Sequence, residues 1–224
     1  LGDVHKRQVD PLFPLERKAP GEKPVILISS TFTTRLSLTK IEEVYEEIKR
    51  LSTTGQYHFL CVLHPKLDEE TKIKFQNLEN ENFQYFDTTD LIPLCKKADL
   101  MFSDTTSAII EFLLQEKPVV TFRNNKPGAH LINVTEVSEI EKSIALALTK
   151  PEKTMMAIRD FIRQTHPYHD GKSSSRVIDA AISFLQKDKS HLKSKPWNLI
   201  RKWKIRKRLN YFTLQSYNRP ITVK

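Results

Sequence analysis

The segment Ser103-Asp-Thr-Thr-Ser107 gathers hydroxyl and carboxyl groups in five consecutive positions, and Glu111 follows four residues later. An apolar strand-like run precedes it and an apolar helix-like run follows, so the segment opens a helix. The first N–H groups of a helix lack intrahelical acceptors and carry partial positive charge, which suits a phosphate. The hydroxyls of Thr105, Thr106 and Ser107 add donors for phosphate oxygens. With Ser103 and Asp104 they form a candidate nucleotide-binding loop. The competing use of the same residues is plain helix capping by Asp104 or Thr105. Glu111 stands about one turn into the helix, where a carboxylate can accept two hydrogen bonds from a ribose diol. Its competing use is a solvated surface carboxylate, although Ile109, Ile110, Phe112 and Leu113 beside it are all apolar.

His64 ends another apolar run and precedes Pro65. Proline holds the residue before it extended, which fixes the direction of the imidazole. A histidine so placed can donate to a diphosphate or act as a catalytic acid or base. A lone histidine is commonly structural, but the end of a strand favours the functional role. A third loop, Ser29-Ser30-Thr31-Phe32-Thr33-Thr34 with Arg35 beside it, offers Ser30 and Thr31 to the same cleft. Alternatively it is a turn that satisfies its own backbone. His166 and His169 are three residues apart, but Pro167 and Gly171 break the helix that would align them on a metal. No metal site and no cofactor are expected. The chain carries no CxxC, HExxH or phosphate-loop pattern, and five glycines leave little room for a dinucleotide fingerprint.

The elements that must position these loops alternate. Strands are expected at 24–29, 57–63, 83–86, 100–102 and 119–122. Helices are expected at 38–51, 69–78, 90–97 with Asp90 as its N-cap, 108–114, 136–148, 155–163 and 173–185. Apolar residues at 38, 41, 44, 45, 48 and 51 show the helical spacing most clearly. Strands separated by helices of about ten residues indicate an α/β fold, a Rossmann-like doubly wound parallel sheet. Such sheets bind ligands beyond the carboxyl ends of their strands, where all three loops fall.

The chain has 224 residues, enough for one such domain with extensions. No run reaches the roughly 18 apolar residues of a membrane span. Cys61 and Cys95 sit within apolar runs and read as buried free thiols of a reducing compartment. The net charge of +9 is unevenly spread. From Lys187 onward the chain holds 12 Lys or Arg and one Asp, and the remainder holds 24 basic against 26 acidic residues. The body is nearly neutral, which argues against nucleic acid as its partner, and the tail is built to meet an anionic surface. Within the tail, Pro196 fits the first turn of a helix. The first eight residues, LGDVHKRQ, read as a non-native leader. The expected division is therefore leader 1–8, Rossmann-like domain 9–186 and basic tail 187–224.

These segments together resemble the C-terminal domain of CDP-glycerol glycerophosphotransferases, which build teichoic acids and related capsule polymers. The resemblance rests on Val9-Asp-Pro-Leu-Phe13, Ser30 to Phe32, His64-Pro65, Ser103 to Ser107, Glu111, Lys117-Pro118 and Asp170-Gly-Lys172 with Arg176. It implies the C-terminal, donor-binding half of a GT-B fold. His64, Thr106 and Ser107 would then hold the donor's pyrophosphate and Glu111 its ribose. It also implies a base, a histidine of an N-terminal domain, that no position here matches. The implied partners are CDP-glycerol or a related CDP-polyol and a polymer acceptor. The basic tail, by its own charge and its two tryptophans, is expected to hold the enzyme as a peripheral protein at the inner face of the cell membrane; the alternative is that it packs back across an N-terminal domain. The compact Asn124 to His130 stretch leaves glycerol and ribitol donors open.

Two other readings stand beside this one. UDP-N-acetylglucosamine 2-epimerases share the fold, the His-Pro element and an Asp-Gly turn before the last helix, and Lys117-Pro118-Val-Val-Thr-Phe-Arg123 is similar to their pattern. They differ at the nucleotide loop, where they carry Ser-Gly-Gly and paired glutamates. The third reading is a non-catalytic surface-binding module whose function lies in the basic tail.

Overall fold

The computed structural model describes residues 22–168, 170–193 and 196–209. The leader at 1–8, the Val9 to Phe13 segment and His169 lie outside them. Six strands form one parallel sheet: β1 (Val25–Ser30), β2 (His58–Leu63), β3 (Phe83–Tyr85), β4 (Leu100–Ser103), β5 (Val119–Phe122) and β6 (Ile132–Val134). Their spatial order is β3-β2-β1-β4-β5-β6, the doubly wound order in which the chain reverses direction between β1 and β4. The register sets Ile28 against both Cys61 and Phe102, so the two halves of the sheet are level at their carboxyl ends.

The strands are buried on both faces, and alternation sorts their side chains between two cores. Ile26, Ile28, Phe59, Cys61, Phe102, Val120 and Phe122 join one core. It is covered by α1 (Glu42–Thr53), α2 (Glu69–Gln76) and α5 (Ile140–Leu148), through Val44, Ile48, Phe75 and Ile144. Leu27, Leu60, Val62, Met101 and Val119 join the other. There α3 (Ile92–Lys97), α4 (Ala108–Leu113) and α6 (Glu152–Thr165) pack through Leu94, Phe112, Leu113 and Ile158. Burying each large apolar side chain stabilises the fold by roughly 1.5–3 kcal/mol. Cys61 and Cys95 are both buried and free, and burial pushes both thiols up, that of Cys95 to about 12.

Several expected boundaries move, each for a local reason. The helix expected from Leu38 begins as a 3-10 turn, Leu38–Lys40, capped by Ser37, and extended backbone at Ile41 delays α1 to Glu42. Asp90 is not the N-cap of α3. Its carboxylate accepts the N–H of Ile92 (3.2 Å) in a turn, and Leu91 holds the cap position. The helix expected over 136–148 is likewise split, with a 3-10 turn at Val137–Glu139 before α5. Strand β6 was not expected: it is three residues long with only Val134 fully buried, too short to show a period.

The chain divides into two compact units, residues 1–174 and 175–224. The second contains most of α7 (Ser173–Gln186) and all of α8 (Leu199–Arg208), and neither helix buries any residue. Helix α8 starts after Pro196, not with it, because Asn198 adopts a left-handed conformation (φ 51°) and interrupts the chain first. Among the described residues no helix is long and apolar enough to cross a membrane.

Candidate functional site

A cleft of about 580 Å³ opens at the carboxyl ends of β1, β2 and β4. Ser29 and Ser30 line it from β1, His64, Pro65 and Lys66 from the end of β2, and Thr106, Ser107, Ala108 and Glu111 from the start of α4. The structure thus brings Ser30, His64, Thr106, Ser107 and Glu111 to one place, as the strand-end rule requires. Thr88, Thr89 and Asp90 form a further wall that the sequence reading missed. They follow β3, so the same rule applied to the third strand would have found them.

Ser103, Asp104, Thr105 and Thr31 stand behind this lining. Asp104 is fully buried. Its carboxylate accepts the hydroxyl of Ser30 and the backbone N–H groups of Thr31 (3.0 Å), Leu38 (3.0 Å) and Thr105 (2.5 Å). Burial pushes its carboxyl above the usual range although each of these bonds pulls it down. Ser103, also fully buried, donates its hydroxyl to the carbonyl of Ser29 (2.5 Å). The first half of the loop therefore ties β4 to the Ser30–Leu38 loop. Asp104 does not cap α4, and its carboxylate does not face the cleft lining.

The loop after β5 buttresses the same segment. Arg123 takes a left-handed conformation (φ 49°), which costs an L-residue roughly 1–2 kcal/mol, and this turns the chain back toward β4. Asn124 then donates its side-chain amide to the carbonyl of Asp104 (2.5 Å), and the N–H of Asn125 meets the Thr105 hydroxyl (3.2 Å). Asn133 on β6 holds Asn124 in place by accepting its backbone N–H (2.9 Å). Asn124 and Asn125 thus brace the loop.

Ser107 occupies the N-cap position of α4 but makes no side-chain capping bond, and its side chain is exposed to the cleft. Helix α4 has only six residues, so its dipole is small, and a phosphate here depends mainly on hydroxyl and imidazole donors. His64 supplies the imidazole. Its Nδ1 accepts the backbone N–H of Lys66 (3.1 Å), which in the neutral ring leaves the proton on Nε2. Burial first, and the positive charge of Lys66 second, hold His64 below its ordinary value, so the neutral ring prevails at neutral pH. The ring of Phe32 lies 4.5 Å from that of His64, with Lys66 Nζ 5.2 Å from the Phe32 centroid. His64 is thereby an oriented Nε2–H donor at the mouth of a cleft that also holds a lysine.

Other residues singled out in the sequence serve elsewhere. Lys117 donates to the carbonyls of Cys95 (2.9 Å) and Lys96 (2.8 Å), closing the C-terminal end of α3. Asp170 accepts the N–H of Lys172 (3.2 Å) in the turn where Gly171 takes a positive φ (69°), and Arg176 lies on α7. Among the described residues no three His, Cys, Asp or Glu side chains are grouped to hold a metal.

Comparison with known proteins adds to this geometry. A UDP-N-acetylglucosamine 2-epimerase of Neisseria meningitidis, solved with UDP-GlcNAc, is 17% identical with a TM-score of 0.51; the match covers 81% of this chain and 48% of that one. MnaA of S. aureus, solved with UDP, is 15% identical at 0.54, covering 80% and 51%. A structure assigned as a UDP-N-acetylglucosamine 2-epimerase of Listeria monocytogenes is 19% identical at 0.54, covering 80% and 52%. At these identities the likeness shows the fold alone, that of GT-B enzymes. The chain spans about half the length of these structures. Comparison with curated proteins gave no match. Residues 16–182, well over half of the chain, match the sequence profile of the UDP-N-acetylglucosamine 2-epimerases. The chain belongs to the UDP-N-acetylglucosamine 2-epimerase family.

Proposed function

We propose that this domain binds the nucleoside diphosphate of an activated donor, and that the protein transfers a polyol phosphate from a CDP-linked donor to a cell-surface polymer. The observation that carries donor binding is the convergence of the Nε2 side of His64, the hydroxyls of Thr106 and Ser107 and the Glu111 carboxylate on one strand-end cleft. Three neutral donors suit the diphosphate, and a carboxylate about one turn away suits the ribose. The side chains of the nucleotide loop favour transfer. Where the epimerase pattern described above has Ser-Gly-Gly and paired glutamates, this loop has Ser103-Asp-Thr-Thr-Ser107 and a single Glu111, with Asp104 committed to bracing the Ser30–Leu38 loop. The acceptor hydroxyl oxygen bonds to the β-phosphorus of CDP-glycerol and gives its proton to the histidine base that the transferase resemblance implies outside this domain, the bond from that phosphorus to the bridging oxygen breaks, and CMP leaves. This domain's part is to position and neutralise the phosphates.

Epimerisation of UDP-N-acetylglucosamine is the second reading, favoured by the family match over residues 16–182. Calorimetric titration of the chain with CMP, CDP-glycerol, UDP and UDP-N-acetylglucosamine decides between them. Tighter binding of the cytidine ligands is the expected result. Equal or tighter binding of UDP-N-acetylglucosamine would leave the donor cleft standing and replace transfer by epimerisation.

A further inference from the structure

The C-terminal segment stands apart from the cleft in its chemistry. Residues 193–208 contain eight Lys or Arg and no Asp or Glu. Apolar side chains are interleaved with these cations and left in solvent: Trp197 is 79% exposed and Ile200 73%, and α8 buries none of its residues. At 100° per residue, Leu199, Ile200 and Trp203 share one face of α8 with Lys207 among them and Lys204 and Arg206 at its edges, whereas Ile205 and Leu209 fall outside it.

We propose that residues 197–208 form a docking surface for an anionic lipid membrane. The cations meet headgroup phosphates, while Trp197, Leu199, Ile200 and Trp203 enter the headgroup boundary. Charge complementarity is the first argument, since each Lys or Arg near an anionic leaflet adds attraction and nothing acidic in the segment opposes it. The second is the mixture itself. A nucleic acid would engage the cations but give the aliphatic strip no apolar partner. The core of a protein interface is depleted in lysine, yet here cations border the apolar strip throughout. Tryptophan beside cations is the pairing that a lipid headgroup boundary accommodates. Docking is shallow, because Ile205 and Leu209 lie off the inserting face. The inference is independent of which donor the cleft takes.

Co-sedimentation of the full chain with phosphatidylcholine vesicles, alone or mixed with phosphatidylglycerol, tests it. Binding is expected to the mixed vesicles only, and to fade as salt shortens the Debye length below about 8 Å. Lys202→Glu, Lys204→Glu and Arg206→Glu combined should weaken it by about a hundredfold, and Trp203→Ala by up to about tenfold. The matching lysine-to-arginine changes should leave it intact. Lys202, Trp203 and Lys204 are exposed and Arg206 is half-buried, and a circular dichroism spectrum confirms the fold of each variant. Equal binding to neutral vesicles, no binding to either, or full binding by the charge-reversed variant overturns the proposal. So does tighter binding to RNA that ignores Trp203→Ala, which would make the partner a nucleic acid.

Discussion

Asp104 and Ser107 lie three positions apart on one loop, yet their side chains meet opposite environments. Asp104 is sealed from solvent and accepts from Ser30, Thr31, Leu38 and Thr105. Ser107 is exposed in the cleft and makes no capping bond. The loop thus has a half that builds and a half that is left available. Three backbone N–H groups, those of Thr31, Leu38 and Thr105, are met by one carboxylate, and Thr106 accepts the N–H of Ala108 (3.4 Å) at the start of α4, which leaves Ser107 without a capping role. The comparison separates stability from binding within a single stretch of sequence, so it can be broken from either side.

The largest effect is expected on the building side. Asp104→Asn keeps the shape but turns an amide N–H₂ toward backbone donors, leaving buried groups unpaired. The loss should be about 2–4 kcal/mol of unfolding free energy in urea titration. A pH signature accompanies it. Because burial raises the Asp104 carboxyl in the folded state, its contribution is fully present below the ordinary aspartate range and is lost as pH rises through the raised value. The wild-type chain should therefore lose stability across that window relative to the Asn variant. An Asn variant as stable as wild type would show that the carboxylate does not hold the loop.

The opposite behaviour is expected from the available side. Ser107→Ala combined with His64→Ala should lower affinity for CMP about a hundredfold, two hydrogen bonds at about 1–1.5 kcal/mol each. Stability should change by less than about 1 kcal/mol, since Ser107 is exposed and His64 only half-buried. Calorimetry and a urea curve on the same sample give both numbers. Unchanged affinity would remove these residues from the donor site. Lys117→Met extends the comparison to a motif residue on the building side. It should cost about 1.5–3 kcal/mol, because the carbonyls of Cys95 and Lys96 lose a charged donor, and leave CMP affinity as it was.

The legible parts of this molecule are those whose signal is local. Apolar runs at 24–29, 57–63, 100–102 and 119–122 gave four strands within a residue or so, because strands buried on both faces are continuous apolar segments. The rule that ligands meet strand carboxyl ends points to the cleft that His64, Ser107 and Glu111 line. What could not be read depends on contacts distant in sequence. The duty of Asp104 is set by Thr31 and Leu38, more than 60 residues away. That of Asn124 is set by the Asp104 carbonyl, 20 residues earlier. A lone Asp or Asn in a polar loop carries no mark of such a partner. Strand β6 escaped for a different reason, its three residues being held by pairing to β5 and not by a pattern of their own.

The smallest effect tests the finest distinction, whether His64 gives or takes a proton in the cleft. Its Nδ1 is occupied by the Lys66 N–H, so the neutral ring offers Nε2–H to a ligand and no free lone pair. Burial and the Lys66 charge keep the ring neutral near pH 7. That depressed value stabilises the fold above the ordinary histidine range, and the contribution is lost as pH falls through it. A bound diphosphate favours the charged ring, so binding and protonation must reinforce each other. Affinity for CDP-glycerol should therefore rise as pH falls toward the depressed value, by roughly threefold to tenfold, the difference between a neutral and a charge-assisted hydrogen bond. CDP-glycerol is the right ligand for this measurement, because its diphosphate diester does not titrate in the window, whereas the phosphate of CMP does. His64→Gln retains an N–H donor without a titrating group. It should bind near the wild-type level at neutral pH and show no rise on acidification. Affinity that weakens as pH falls in the wild type, and not in His64→Gln, would mean that the ligand needs an unprotonated nitrogen. The Nε2–H donor would then have to be replaced by an acceptor in this cleft.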